Sequence, residues 1–384
     1  MLRPFLAADT SERMARLRIW LQSFFNRKTF GRLTLLLVLA MAVACFWPFS
    51  TPRNAVFWIA GGRGVAFGKH GVLVGGSALV DDHFDESGCT LELWVEPEQA
   101  DLKGAILGTY SPENPRLFRV EQYGDGLAVR TLTPSDPART GGAQLYADDV
   151  FAPGRPVLLT ITSNSDGTNA FVNGILRRAV PDFRVCRGLL SGRLVAGSGA
   201  ESAYSWRGQL RGIAIFNRPL SAGEVHEDYK NWPDYPGPAS GNRAGLAALY
   251  PFDEGSGHRV RDAVSGANSL YMPDRYLVVA KQFLSRPSLD NPGDIVLNII
   301  GFIPLGFTLC GYLSFRWGRR RSIVTTVLLC GLFSASIEML QWFLPTRDSD
   351  MTDVITNVIG AIGGALLYRP ICVWLAVPLR KETQ

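Results

Sequence analysis

Four apolar runs decide what this chain can become. Residues 33–49, 295–315 and 354–368 contain no charged side chain, and residues 322–344 contain only Glu338. A helix rises ~1.5 Å per residue and the hydrocarbon core of a bilayer is ~30 Å thick, so about 20 apolar residues span it. The two middle runs meet that length, and the outer two fall short of it. After the last run Arg369 and Pro370 intervene, yet "ICVWLAV" restores the apolar character. A fourth span near 353–377 is therefore expected, kinked at the proline and with Arg369 snorkelling. Residues 50–288, between the first run and the others, read as a water-facing domain, so the 384-residue chain carries greasy ends around a polar middle.

The formal charge of +5 is better explained by membrane topology than by nucleic acid. Arg27, Lys28 and Arg32 precede the first run; Arg316, Arg319, Arg320 and Arg321 separate the second from the third; Arg380 and Lys381 close the chain. Positive charge marks the cytoplasmic side. Four spans, both termini in the cytoplasm and an extracytoplasmic middle domain follow as expectations. The connection 346–351 then also lies outside. Residues 1–32 form a basic segment in which Met14, Leu17, Trp20, Leu21, Phe24 and Phe25 recur at helical spacing, consistent with an interfacial helix or a disordered basic tail. Ala42-Val43-Ala44-Cys45 also loosely suits a signal-peptidase or lipoprotein site, which would remove the first span.

From about Val65 the middle segment shows short alternating stretches, among them "CTLELWVEP", "LFRVEQY", "VLLTITS" and "GQLRGIAIF", separated by Gly, Pro, Asn and Asp. That rhythm argues an antiparallel sandwich or jelly roll. Asn173-Gly174 predicts a two-residue hairpin, because both residues tolerate the positive φ of a type I′ turn. Ser221, with Glu224 three residues on, predicts a capped helix after the sheet. "TLELWVEP", "FVNG" and "GQLRGIAIFNRPLSAGEVHEDY" resemble the laminin-G-like, concanavalin A-like jelly-roll family over roughly Gly64 to Trp232. "LYPFDEGSGHRVRDAVSG" is similar to a phrase that usually begins that domain, but here it follows the helix.

The resemblance implies lectins, peptide-binding modules or glucanases. A glucanase needs two carboxylates flanking a bond, commonly as Glu-x-Asp-x-Glu on one strand, and no such string occurs. Glycan or envelope-protein binding is therefore expected rather than hydrolysis. The aromatics of "YSWRG" and "NWPDYP" suit either sugar stacking or the core. Asp81, Asp82, Asp85, Glu86, Asp148 and Asp149 are loop acids, solvated or ligating Ca²⁺. No zinc spacing occurs, and no metal site is assigned. Of six cysteines, only Cys89 and Cys186 would meet an oxidising compartment, either as a disulfide or as two buried thiols.

The most specific pattern is a repeat. "DIVLNIIG" begins at Asp294 and "DVITNVIG" at Asp353. On a helix, Asp294, Asn298, Gly301 and Leu305 form one stripe, and Asp353, Asn357, Gly360 and Gly364 form another. The span between runs oppositely, so Glu338 and Gln341 lie ~4 to 9 Å before its end at Leu344, at the same outer level. Arg347, Asp348 and Asp350 sit in the following connection. An intramembrane acid is costly and asks for a partner or a polar cavity. The amides and Gly301, Gly360 and Gly364 also suit plain helix packing.

"FWPF", "DIVLNIIGFIPLGF" and "SIEMLQWFLPTRDSDMTDVITNVIGAIGG" resemble the VanZ-like family, bacterial membrane proteins associated with teicoplanin-type glycopeptide resistance. The resemblance implies that Asp294, Asn298, Glu338, Gln341, Arg347, Asp353 and Asn357 belong to its pattern, and it departs from it in the inserted jelly roll. The expected architecture is multi-domain: an all-β jelly roll (50–288) inserted between a first span (33–49) and a bundle (289–384) with spans near 294–315, 322–344 and 353–377. Three functions are compatible with it in the bacterial cytoplasmic membrane. One is a glycan-binding domain above a polar outer-leaflet pocket for a lipid headgroup or lipid-linked cell-wall precursor. Another is a membrane-embedded transferase or hydrolase with Glu338 or Asp353 as general base and Arg347 holding a phosphate or carboxylate. The third is an anchored adhesin or sensor.

Overall fold

The computed structural model describes residues 24–47, 49–79, 88–112, 114, 116–131, 144–200, 205–234, 237–281, 283, 292–347 and 349–375. The chain divides into two compact units, residues 51–281 and the combination of 1–50 with 282–384.

The first unit is a sandwich of two antiparallel sheets. Its strands are β1 (Val56–Trp58), β2 (Val65–Phe67), β3 (Leu73–Ala78), β4 (Gly88–Pro97), β5 (Lys103–Tyr110), β6 (Phe118–Tyr123), β7 (Gly126–Thr131) and β8 (Gln144–Ala147). They continue as β9 (Val157–Asn164), β10 (Gly167–Val172), β11 (Ile175–Pro181), β12 (Arg193–Ala196), β13 (Gly208–Phe216), β14 (Leu246–Tyr250), β15 (Arg259–Val260) and β16 (Leu270–Tyr271). One sheet runs β1-β2-β13-β4-β9-β10-β11, with β14 also on β13; the other runs β15-β16-β3-β12-β5-β6-β7-β8. Alternation explains the core: Leu91, Leu93 and Val95 of β4 point inward to meet Ile106, Leu107, Phe118 and Val120. Asn173 (φ 52°) and Gly174 (φ 78°) turn β10 into β11, with Val172 opposite Ile175.

The phrase that follows the helix completes both sheets. β14 pairs with Ile213–Phe216 of β13, while β2 takes Gly208–Leu210 on the same edge. The chain then crosses to the second sheet, where β16 pairs with β3. Cys89 of β4 is disulfide-bonded to Cys186 at the start of helix α2 (Cys186–Ser191), with Cα atoms 5.4 Å apart. Of the aromatics considered for sugar stacking, Trp206 and Trp232 go inward and are buried, whereas Tyr204 and Tyr235 lie outside the described residues. Trp206 donates its indole N–H to Gln122 Oε1 at 2.8 Å.

Helix α3 (Ala222–Asn231) carries the expected capping box of Ser221 and Glu224. It covers the outer face of the first sheet over Leu158, Phe171, Phe216 and Leu249. The Trp232 indole lies where a Cβ on Gly212 would stand, so glycine is required there for the close approach.

The second unit contains α1 (Arg27–Phe46), α4 (Pro292–Ser314), α5 (Arg319–Gln341) and α6 (Met351–Trp374). All four are long and apolar enough to cross a membrane. The helix boundaries correct the sequence-based ones. Asn26 caps α1 by accepting from Thr29 N, so Arg27, Lys28 and Arg32 belong to the first helix rather than to a separate segment ending at 32. The cap, not the onset of apolar residues, sets where the helix starts. The interfacial helix expected around Met14, Leu17, Trp20 and Leu21 lies largely outside the described residues. α6 continues through Pro370 to Trp374.

Small residues bring α4 and α6 together. A Cβ on Gly306 would overlap the Ala361 carbonyl; on Gly360, that of Ile299; on Gly364, that of Ile303. Gly301, expected at such a contact, instead faces open space and is exposed. The two copies of the repeat are thus oriented differently. In α6, Asn357, Gly360 and Gly364 are buried, whereas in α4 Asp294 and Gly301 are exposed and the buried face runs through Phe302, Leu305 and Gly306. Outward leucines, including Leu35, Leu36, Leu39, Leu328, Leu332 and Leu366, are half exposed or more, the apolar surface that a bilayer would cover.

Candidate functional site

The polar residues of the helical unit form a connected layer. Asn298 of α4 donates its amide to Asp353 Oδ1 of α6 at 2.7 Å. Asn357 of α6 donates to Ser334 Oγ of α5 at 3.0 Å. Glu338 of α5, almost fully buried, accepts the main-chain N–H of Asp350 at 2.9 Å, and Asp350 caps α6 through Thr352 N at 2.7 Å. These contacts lock the α5–α6 connection, because the first N–H groups of a helix have no partner within it.

Arg347 and Gln341 do the same for a helix C-terminus. Arg347 Nη2 donates to the carbonyls of Ala44 (3.3 Å) and Trp47 (3.1 Å), and Gln341 Nε2 to that of Cys45 (3.1 Å). The last carbonyls of α1 lack intrahelical partners, and a cation there also complements the helix dipole. Asp348 lies outside the described residues. The layer therefore clasps all four helices at one level, with Asn357 Oδ1 left buried and without a hydrogen-bond partner.

A second candidate site lies on the solvent face of the sandwich's second sheet. Register places Ala105, Glu121, Ala128 and Tyr146 in one row, with Lys103 opposite Tyr123 and Arg119 opposite Arg130 beside it. Glu121 bridges the two arginines at 3.3 and 3.2 Å. Lys103 donates to Tyr123 Oη at 3.1 Å and lies 4.3 Å from that ring's centroid. Tyr123 and Tyr146 meet edge to face and are 44% and 38% exposed. Small residues floor the cluster, including Gly104, Ala105 and Gly199, so the charged and aromatic side chains rim an open hollow of about 300 Å³. Sequence reasoning passed over these residues; the available signal was the alternation of Arg119, Glu121 and Tyr123 along β6. Asp148 and Asp149 are described, and the other loop acids fall outside the described residues. Among the described residues no group of three or more His, Cys, Asp or Glu is placed to hold a metal.

Glu92 was also passed over. It lies on the α3 side of β4, fully buried, and accepts from Trp232 Nε1 (3.0 Å) and Thr160 Oγ1 (3.2 Å). Burial pushes its carboxyl up to about 8; nearby Asp228 adds to the rise and the two hydrogen bonds oppose it. Asp228 is itself raised by burial. Both acids are shut from solvent, so they act on stability rather than on a substrate. Between about pH 4.3, where an unfolded glutamate titrates, and about 8, the folded state keeps a proton that the unfolded chain has lost. Sandwich stability is thus expected to fall as pH rises through that window, and Glu92→Gln to remove most of the slope. Thermal melts of the full chain at pH 5 and pH 8 check this; an unchanged slope in the variant would refute the assignment.

Comparison with known proteins places these units. The VanZ/LLP1 family matches residues 246–375, and the concanavalin A-like lectin/glucanase superfamily matches residues 74–226. The chain is a membrane protein joining a VanZ-like segment to a laminin-G-like jelly roll. The VanZ-like match begins inside the sandwich, taking in β14, β15 and β16 before α4, α5 and α6. A curated relative, the uncharacterized protein C11E3.10 of Schizosaccharomyces pombe, is 33% identical over 93 residues, 24% of this chain and 56% of its own length. The chain thus spans about half the length of that relative. Similar solved structures include a proposed carbohydrate-binding protein from Bacteroides ovatus (13% identity, TM-score 0.38, covering 60% of this chain and 62% of that one). Another is a heptameric SAP-like pentraxin from Limulus polyphemus (13%, TM-score 0.33, covering 46% and 80%).

Proposed function

We propose that this VanZ-like protein is a receptor of the bacterial cytoplasmic membrane, with both termini inside and the jelly roll outside, where it binds an acidic glycan of the cell envelope. The supporting observation is the sheet face on which Tyr123 and Tyr146 stand exposed beside Lys103, Arg119 and Arg130. Tyrosine rings offer apolar faces to sugar rings at low conformational cost, and arginine forks suit carboxylates. The bundle anchors this domain, and its polar layer holds the four helices in one arrangement. The use of Arg347 on helix carbonyls favours this reading over one in which it grips a phosphate for an embedded transferase or hydrolase.

Binding of soluble peptidoglycan fragments and of uncharged glucan oligomers to the purified full chain tests the proposal. The acidic fragments should bind more tightly, and Tyr123→Ala and Tyr146→Ala should each weaken them roughly tenfold, since truncating an anchoring aromatic commonly costs more than ~1 kcal/mol. Equal binding of both probes, or full binding by both variants, would remove this face from consideration.

A further inference from the structure

A second hollow lies at the end of the bundle remote from the polar layer. Arg319, Leu366, Arg369, Pro370, Val373 and Trp374 line an open space of about 560 Å³ between the start of α5 and the end of α6. Arg319 precedes Glu338 by ~28 Å along α5, and Arg369 follows Asp353 by ~24 Å along α6, so the hollow sits about one hydrocarbon thickness from the clasp. Its composition is divided. Leu366, Val373 and Trp374 are 50%, 65% and 54% exposed, an apolar wall on a spanning helix, while the two guanidinium groups stand at the helix ends. Arg316, Arg320 and Arg321 add positive charge nearby, and no acidic residue occurs in 295–337 or 354–381.

We propose that this hollow seats the phosphate of an anionic phospholipid, with Arg319 and Arg369 holding the headgroup and Leu366, Val373 and Trp374 lying along its acyl chains. Guanidinium forks pair with phosphate oxygens two at a time. Basic pockets between spanning helices collect anionic lipids for this reason, and an interfacial tryptophan fixes the depth at which the headgroup sits.

The test is lipid binding to the intact full chain by native mass spectrometry, titrating phosphatidylglycerol against phosphatidylcholine of the same acyl chains. One phosphatidylglycerol should bind about tenfold more tightly than phosphatidylcholine. Arg319→Gln combined with Arg369→Gln should erase that preference while leaving glycan-fragment binding unchanged. Arg320→Gln combined with Arg321→Gln, outside the hollow, should retain it. Millimolar inorganic phosphate should not displace the lipid. No preference in the wild type, equal loss in both double variants, or displacement by phosphate would each overturn the proposal, the last by making the occupant a free anion.

Discussion

Gly364→Leu is expected to abolish the folded bundle. The Cβ of any replacement would overlap the Ile303 carbonyl oxygen and crowd Phe307 N at 2.7 Å, both of them main chain of α4. A flexible side chain can move aside, but two helix backbones can separate only by losing the packing of Phe302, Leu305, Cys330 and Ala361 around them. Overpacking costs ~1 to 3 kcal/mol where neighbours yield, and here the obstruction is backbone, so a loss at or above ~3 kcal/mol is expected. The separation would also stretch the Asn298–Asp353 hydrogen bond that joins the same two helices. Gly301→Leu, in the first copy of the repeat at the place equivalent to Gly360, has nothing within 4 Å and should leave stability near wild type. Melting temperature and monodispersity of each full-length variant in one detergent give the comparison. Similar behaviour of the two variants would mean that α4 and α6 do not meet as described.

That contrast also shows how far the sequence could be read. Elements governed by neighbouring residues were legible: the Asn173-Gly174 turn, the Ser221–Glu224 capping box and four apolar runs, of which the two middle ones are long enough to span. The repeat revealed which residues are polar within the spans, but not the rotation of each helix about its axis. α6 packs against both α4 and α5 and buries its stripe, whereas α4 turns Asp294 and Gly301 outward. Arg347 was legible as a cation beside the polar layer, but its partners are main-chain carbonyls of a helix some three hundred residues earlier, and carbonyls leave no mark in a side-chain pattern. Glu92 was hidden for a related reason. Its alternation with Leu91 and Leu93 reads as a solvent-facing position, and only the docking of α3 and Trp232 makes it buried. The charged and aromatic residues around the hollow beside Tyr123 come from four strands whose register no single stretch specifies.

The central claim, an outward-facing jelly roll carried by four spans, is tested most directly by thiol labelling of intact cells with an impermeant maleimide. Gly241→Cys and Gly318→Cys suit this, because both positions are exposed and have nothing within 4 Å of the added Cβ. A Cys45→Ser background removes the free thiol that is not buried. Gly241 belongs to the sandwich, and Gly318 to the Arg-rich connection between α4 and α5, which positive charge assigns to the cytoplasm. The account predicts full labelling at position 241 from outside and labelling at position 318 only after the membrane is permeabilised. Labelling of position 318 in intact cells, with position 241 protected, would contradict it.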